Sequence, residues 1–339
     1  MFKKEVRIGE KFIGNEHPCF IVAEAGVSHF GSVDKAFALV DAAVQAGADA
    51  VKFQIFQANQ LISSAAPDWI RRMRAKELPA EAFAEIMDYC RRSKIIFFAT
   101  AHDDQSLKQL AKLGPPVYKI GSGDVQNFDF YRKVAELNRP LIFSTGMFSE
   151  KDIQKTTQVL ADAGCNEVVM LHCVTGYPVP EKSVNLLAIK TLKNIFPGPV
   201  GYSDHSVSYD IASASVLLGA NLIERHLTLE KNIPNAQDWK VSCDPQEMRQ
   251  FIAMTRRFEA AMGDGLFGQT EVEKKSLEWA RKSVVAAEDI WPDDLITDEK
   301  LQVKRPGTGI SPAEIHKIIG KRAKVKIKAD TLVDWDQIK

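Results

Sequence analysis

The sequence predicts an α/β protein: a closed (β/α)8 TIM barrel followed by a small, mostly-β domain. Three observations carry this. Eight short apolar or β-branched runs recur between Phe20 and Leu229. Amphipathic stretches separate them, and the composition changes once that alternation stops.

In order, the runs are "FIVAEAG" from Phe20, "AVKFQIF" from Ala50, "IFFATA" from Ile96, "VYKIGSG" from Val117, "LIFSTG" from Leu141, "VVMLHCV" from Val168, "VGYSDH" from Val200 and "LIERHLTL" from Leu222. The intervening "SVDKAFALVDAAVQAGA" and "SEKDIQKTTQVLADAGC" are amphipathic and reach a glycine just ahead of the next run, the helix-stop expected of βαβ units. Eight alternations in about 260 residues match a closed barrel in number and length. An open doubly wound sheet is the alternative, but no strand-linked G-x-G-x-x-G marks a dinucleotide turn. Next, "MGDGLFGQTEVEKKSLEWARKS" is glycine-rich and then strongly charged, as a connecting loop and helix would be. From Val284 onward short strands and turns follow, and in "RPGTGISP" two Gly and two Pro fix a rigid loop. The expected division is a barrel over 1–270, a linker over 271–283 and a small domain over 284–339. That last domain is near the lower size limit for independent stability, so it is expected to lean on another surface.

Bulk properties exclude several functions. Lys plus Arg and Asp plus Glu both total 44, so no net field draws the 339-residue chain to nucleic acid or to an anionic membrane. A charged ligand must be recognised locally. Cys19, Cys90, Cys165, Cys173 and Cys243 are odd in number, widely spaced and free of any C-x-x-C, against a disulfide framework or zinc ribbon. The opening "MFKKEVRIGEKFIG" lacks the apolar core of a signal peptide, and no run of about 18 apolar residues occurs. A cytoplasmic location is expected.

In such a barrel, chemistry sits at the C-terminal ends of the strands. Polar residues gather there: Glu24, then Lys52 and Gln54, Thr100, Lys119 and Ser122, Ser144 and Thr145, His172 and Thr175, Ser203, Asp204 and His205, and finally Glu224 and His226. In the last run, alternation puts Glu224 and His226 on one face and Ile223, Arg225 and Leu227 on the other. Singly these residues are ordinary, since a Ser or Thr at a strand end is usually a helix cap and Lys52 could be paired inside the barrel. Together, two lysines, several hydroxyls and two imidazoles converging on one mouth would cost several kcal/mol in desolvation unless something anionic or metallic were bound. Lysines with hydroxyls describe a phosphate and carboxylate site. His205 and His226, on neighbouring strands, could share a divalent ion and leave positions open for water and substrate. Softness alone does not choose among Mn²⁺, Co²⁺ and Zn²⁺. The expected chemistry is a metal-assisted reaction on a small phosphorylated acid. It requires that the two rings face each other and that no permanent internal acid ties up Lys52 and Lys119.

At these residues the chain resembles the sialic acid synthase family, which condenses phosphoenolpyruvate with an N-acylated aminohexose to make nonulosonic acids. The resemblance runs through "AEAGVSHFGS", "VKFQ", "KIGSGD", "FSTGM", "LHCVTGYP", "GYSDHS", "IERHLT" and "KRPGTGISP", in order and spacing over nearly the whole chain. The tail is similar to the antifreeze-like (SAF) domain that ends these enzymes. The resemblance implies that His205 and His226 bind metal, usually Mn²⁺, with Mg²⁺ or Co²⁺ as substitutes. It implies that Lys52, Thr100, Lys119, Ser122, Ser144 and Ser203 hold the phosphate and carboxylate of phosphoenolpyruvate, and that Glu24 is the acid near the reacting carbons. Gln54, Thr175, Tyr177, Asp238 and Arg305 then fall on the acceptor-sugar side, Arg305 coming from the partner's tail in a domain-swapped homodimer.

Departures from the family pattern lie on the acceptor side. Ser28-His29-Phe30-Gly31 stands where N-H-x-G is usual, Thr175 where Asn, Ser or Ala is common, and "NAQDWKVS" keeps Asp238 but puts Trp239 at a histidine. The donor is therefore expected to be retained while the acceptor differs from N-acetylmannosamine. Trp239 either closes a pocket or packs under its loop. His17, His102 and His316 read as surface or loop histidines. The "RRMRAK" run from Arg71 reads as a solvated face. Cys173 reads as a small core residue without an activating neighbour. A Schiff-base aldolase using Lys52 or Lys119, or a non-catalytic glycan-binding protein, are the alternatives.

Overall fold

The computed structural model describes residues 1–234 and 236–339. A hairpin opens the chain, with β1 (Val6–Ile8) antiparallel to β2 (Lys11–Ile13). Eight parallel strands then close into a barrel: β3 (Phe20–Gly26), β4 (Ala50–Ile55), β5 (Ile96–Ala101), β6 (Tyr118–Ile120), β7 (Leu141–Ser144), β8 (Val168–Cys173), β9 (Val200–Asp204) and β10 (Leu222–His226). They follow one another round the ring in sequence order, and β10 pairs back onto β3. Every run read as a strand is one, so the closed barrel and not the open sheet is observed.

Helices cover the outside and are begun and ended by local chemistry. Ser32 caps the helix Val33–Ala46, Gly47 ends it at φ +85° in the left-handed region, and Ser149 with Asp152 forms a capping box on Glu150–Asp162. Asp103 caps Asp104–Leu113 and also accepts from the Gln57 N–H at 2.9 Å, so one carboxylate ties the loop after β4 to the loop after β5 at the mouth.

Two cores result. The larger lies between barrel and helices. The second fills the lower lumen with Phe20, Val22, Ala50, Phe98, Val117, Ile142, Val169, Leu171 and Leu222, and is closed below by Val6, Ile8 and Ile13 of the hairpin. Gly201 is needed in this layer, because a Cβ there would stand 2.2 Å from the Leu222 carbonyl oxygen and 2.7 Å from Leu171.

The chain divides into two compact units, Met1–Gly263 and Asp264–Lys339. In the second, β11 (Ser283–Ala286) pairs antiparallel with β12 (Leu301–Lys304) over a separate core of Val284, Ile290, Ile296, Ile318, Ile327 and Val333. The helix Glu271–Ala280 is held within this unit by Gly307 N–H to Glu278 O at 2.7 Å and Arg305 Nε to Ala280 O at 3.0 Å. All five cysteines are free and buried. Among the described residues no helix is long and apolar enough to cross a membrane.

Candidate active site

Directly above the apolar layer the inward positions change character. Glu24 follows Val22, Lys52 follows Ala50, Thr100 follows Phe98, Lys119 follows Val117, Ser144 follows Ile142 and Glu224 follows Leu222, each two residues further along its strand and so on the same face. Together with Gln54, Ser122, Cys173, Thr175, Tyr177, Ser203, His205 and His226 they line a cavity of about 130 Å³ at the C-terminal mouth. At Cys173 and Thr175 it adjoins a groove of about 540 Å³ lined by Met147, Phe148, Leu187 and Leu192.

Glu224 is the hub. One carboxylate meets Lys52 Nζ at 2.9 Å and Lys119 Nζ at 3.1 Å, and accepts from Ser203 Oγ at 3.1 Å. Lys52 also stands 3.4 Å from Glu24, whose other oxygen accepts from Gln54 Nε2 at 2.9 Å. Gly26 allows that approach, since a Cβ there would lie 3.2 Å from Glu24 Oε1 and 3.3 Å from Gln54 Nε2. The expectation that no internal acid holds the lysines is thus not met: both are ion-paired, and to the same residue.

The charge balance nevertheless leaves room for an anion. Burial, reinforced by Glu224 and opposed by Lys52, pushes Glu24 up to about 7, so it is largely protonated below neutrality. Against burial, Lys119 and Lys52 hold Glu224 well below the usual carboxylate range. Against burial too, Glu224 and Glu24 hold Lys52 above its ordinary value. Lys119 has one acid partner and faces Lys52; burial, aided by Lys52, lowers it to about 8. Near neutrality two ammonium groups face one permanent carboxylate and a second, Glu24, that is only partly ionised, so a bound anion would share the two cations with Glu24 in a dry pocket. Hydrogen bonding is also incomplete: Ser144 Oγ, Glu24 Oε2 and His226 Nδ1 are buried without a hydrogen-bond partner.

The rings of His205 and His226 lie next to each other, with centroids 5.3 Å apart and planes inclined at 52°. His205 Nδ1 hydrogen-bonds the Val174 carbonyl at 2.9 Å, and its Nε2 is 3.1 Å from the Tyr177 hydroxyl. Burial and the nearby His205 lower His226 well below its ordinary value, so it is a neutral imidazole with a free Nδ1, the form that ligates metals. Among the described residues no cluster of three or more His, Cys, Asp or Glu could hold a metal ion. The pair would hold one alone, with the remaining positions left to water or substrate.

Four residues stand differently from what the sequence alone predicted of them. His102 is a loop residue, as read, but it faces the cavity one residue past the end of β5, and burial with Lys52 and Lys119 lowers it to about 4. Cys173 has a neighbour, with Sγ 3.8 Å from His205 Nδ1; although burial opposes it, His205 and Lys119 draw the thiol below its ordinary value. His172 turns away from the lumen and bonds the Val184 carbonyl at 2.9 Å. Glu224 had no assigned role, although its alternation with His226 already put it inside. Asp238 is absent from the cavity lining; burial raises its carboxyl, opposed by Lys76 and His205. Arg305 belongs to the second unit, where its guanidinium lies 5.9 Å from the Trp279 ring. Trp239 donates to the Ile233 carbonyl at 3.1 Å within its own loop and does not line the cavity, which fits the packed alternative. Asn235 of the "NAQDWKVS" motif lies outside the described residues.

The sequence and the fold match those of known proteins. A model of the NeuB family matches residues 39–266, and one of the SAF domain matches residues 281–339. The chain is 37% identical over 328 residues to the N,N'-diacetyllegionaminic acid synthase of Campylobacter jejuni, covering 92% of this chain and 98% of that one. It is 31% identical over 337 residues to the N-acetylneuraminate-9-phosphate synthase of Homo sapiens, covering 95% and 93%. The solved structure of the spore coat polysaccharide biosynthesis protein SpsE of Bacillus subtilis superposes with a TM-score of 0.70 at 34% identity, covering 99% of each chain.

Proposed function

Since this chain belongs to the NeuB family and ends in a SAF domain, we propose that it condenses phosphoenolpyruvate with an N-acylated aminohexose and water, yielding a nonulosonic acid and phosphate. The observation that carries this reading is the Lys52–Glu224–Lys119 cluster with the unpartnered Ser144 hydroxyl beside it. A dianionic enol phosphate supplies the missing negative charge and acceptors that this cluster lacks.

Lys52, Lys119, Thr100, Ser122, Ser144 and Ser203 hold the donor's phosphate and carboxylate. They fix its enol C3 toward the acceptor aldehyde, so that the carbon–carbon bond forms between groups already aligned. His205 and His226 would hold a divalent ion, Mn²⁺ by preference and Mg²⁺ or Co²⁺ as substitutes; bound there, it supplies Lewis-acid polarisation of the aldehyde. As C3 bonds to the aldehyde carbon, whose oxygen takes up a proton, C2 becomes cationic and takes a water, which gives up a proton; the C2–O–phosphate bond of the tetrahedral product then breaks, leaving a C2 ketone and free phosphate. Glu24, within ion-pairing reach of Lys52 at 3.4 Å, stabilises that cation or takes the water's proton. Gln54, Thr175, Tyr177 and Asp238 orient the sugar. A cytoplasmic, domain-swapped homodimer, in which Arg305 serves the other copy's acceptor side, belongs to the same reading.

The acceptor is proposed as a class, an N-acylated aminohexose. One relative is named for a doubly acetylated product and another for a 9-phosphate. The test is therefore phosphate release from phosphoenolpyruvate with mono- and diacylamino hexoses, free and phosphorylated, with and without chelator. Metal-dependent release with at least one acceptor is expected; no release with any would overturn the proposal. The lowered Lys119 is also what a Schiff-base aldolase would need. Borohydride inactivation with substrate present would favour that second reading.

A further inference from the structure

On the outer face of the same two strands lies a second buried ionic cluster, which the reaction does not touch. The β9–β10 ladder pairs Ile223 with Tyr202, Glu224 with Ser203 and Arg225 with Asp204, and stops there. His226 is the next and last residue of β10, and His205 is the first residue beyond β9. On that edge nothing in the sheet holds the two histidines in register.

Arg225 does so from outside. It is 1% exposed and Asp204 is 0% exposed, and the two are ion-paired through Nη1. The same guanidinium donates from Nη1 to the Ser206 carbonyl at 2.8 Å, from Nη2 to the Val207 carbonyl at 2.9 Å and from Nε to Cys243 Sγ at 3.5 Å. Asp204 accepts from the Tyr202 hydroxyl at 2.7 Å, the Ser206 N–H at 2.9 Å and the Ser206 hydroxyl at 3.0 Å. His205 is therefore gripped on both sides, at Asp204 before it and at Ser206 and Val207 after it. His226 is gripped by its own neighbour in sequence, Arg225. It is also held through Cys243, whose N–H donates to the His226 carbonyl at 2.8 Å.

We propose that Arg225, charge-balanced by Asp204, is the positioning residue that keeps both imidazoles facing one cation. A fully buried ion pair is a poor source of stability, because desolvation of the two charges offsets their attraction. A planar fork with fixed donor directions is a good source of geometry, and it is one that lysine cannot reproduce. Groups that orient metal ligands from behind typically set affinity by about 10–100-fold.

This rests on the reading of His205 and His226 as ligands of a divalent ion, and its test separates the two. Mn²⁺ binding to the full-length protein, without substrates, is followed by the electron paramagnetic resonance signal of free Mn²⁺. Phosphoenolpyruvate binding and thermal unfolding are measured on the same samples. Arg225→Lys retains the charge, and the double variant Asp204→Asn with Arg225→Gln leaves no buried charge unpaired should the single one fold poorly. Each is expected to bind Mn²⁺ at least about tenfold more weakly while phosphoenolpyruvate affinity stays within about twofold. Unchanged Mn²⁺ affinity in a folded variant would overturn the positioning role, as would Mn²⁺ and phosphoenolpyruvate affinities falling together. No Mn²⁺ binding by the unmodified protein, or binding untouched by His226→Ala, would instead remove the metal reading and this inference with it.

Discussion

The lower and upper halves of the barrel lumen are built from the same strands, two residues apart, yet follow opposite rules. Below, Phe98, Ile142, Val117 and Leu222 meet the hairpin residues Val6, Ile8 and Ile13 in a dry apolar layer that needs no ligand to be complete. Above, Lys52, Lys119, Glu24 and Glu224 form a layer of buried charges with unpartnered Ser144 and His226 atoms and a cavity between them. The lower layer contributes stability by burying apolar area. The upper one costs stability and is completed only by a ligand. Four perturbations separate the two halves.

Glu24→Gln should have the largest effect. Turnover should fall by about 10²–10⁴-fold, the usual range for a positioned acid or base, while phosphoenolpyruvate affinity changes only a few-fold. Steady-state phosphate release and a binding titration check it, and unchanged kcat would remove Glu24 from the chemistry. Phe98→Ala should do the reverse, costing about 3–5 kcal/mol in urea unfolding and leaving affinity per folded molecule unaltered. A matching loss of affinity would mean that the two halves are not independent.

Glu224→Gln sharpens the comparison, since it leaves two buried ammonium groups without their shared anion. The ligand-free protein should lose about 3 kcal/mol or more, and the rise in Tm caused by phosphoenolpyruvate should be larger than in the unmodified protein. The smallest effect is that of pH. Lys119, lowered to about 8 by burial and by Lys52, is protonated below that value and neutral above it. Phosphoenolpyruvate affinity should weaken modestly as Glu24 ionises near pH 7 and then decline more steeply above about pH 8, approaching tenfold per unit if the Lys119 proton is required. Lys119→Arg, charged throughout, should abolish the decline.

Periodicity made most of this legible. Position at the C-terminal ends of the runs brought Lys52 and Lys119 to the mouth, two-residue alternation in the last run put Glu224 and His226 on one face, and the helix stops counted the strands. What alternation does not contain is the stagger between strands. Glu224 lies on β10 while Lys119 lies on β6, 105 positions away in the chain, and only closure of the ring brings both to one level at 3.1 Å. For the same reason the lysines' pairing, the entry of His102 and the nearness of Cys173 to His205 were invisible. Each depends on neighbours across the barrel or in loops without a period.

The sequence by itself determined that polar residues replace apolar ones at the C-terminal ends of the strands and, in the last run, which residues share a face, because strand alternation is a local property of the backbone. Only the tertiary structure decided which of those charges neutralise one another. It also decided that Asp204, read with the polar residues of the mouth, turns outward and meets Arg225 behind the histidines. Ion pairing depends on distances between strands far apart in the chain, and those are fixed by the tilt and closure of the barrel rather than by any run of residues.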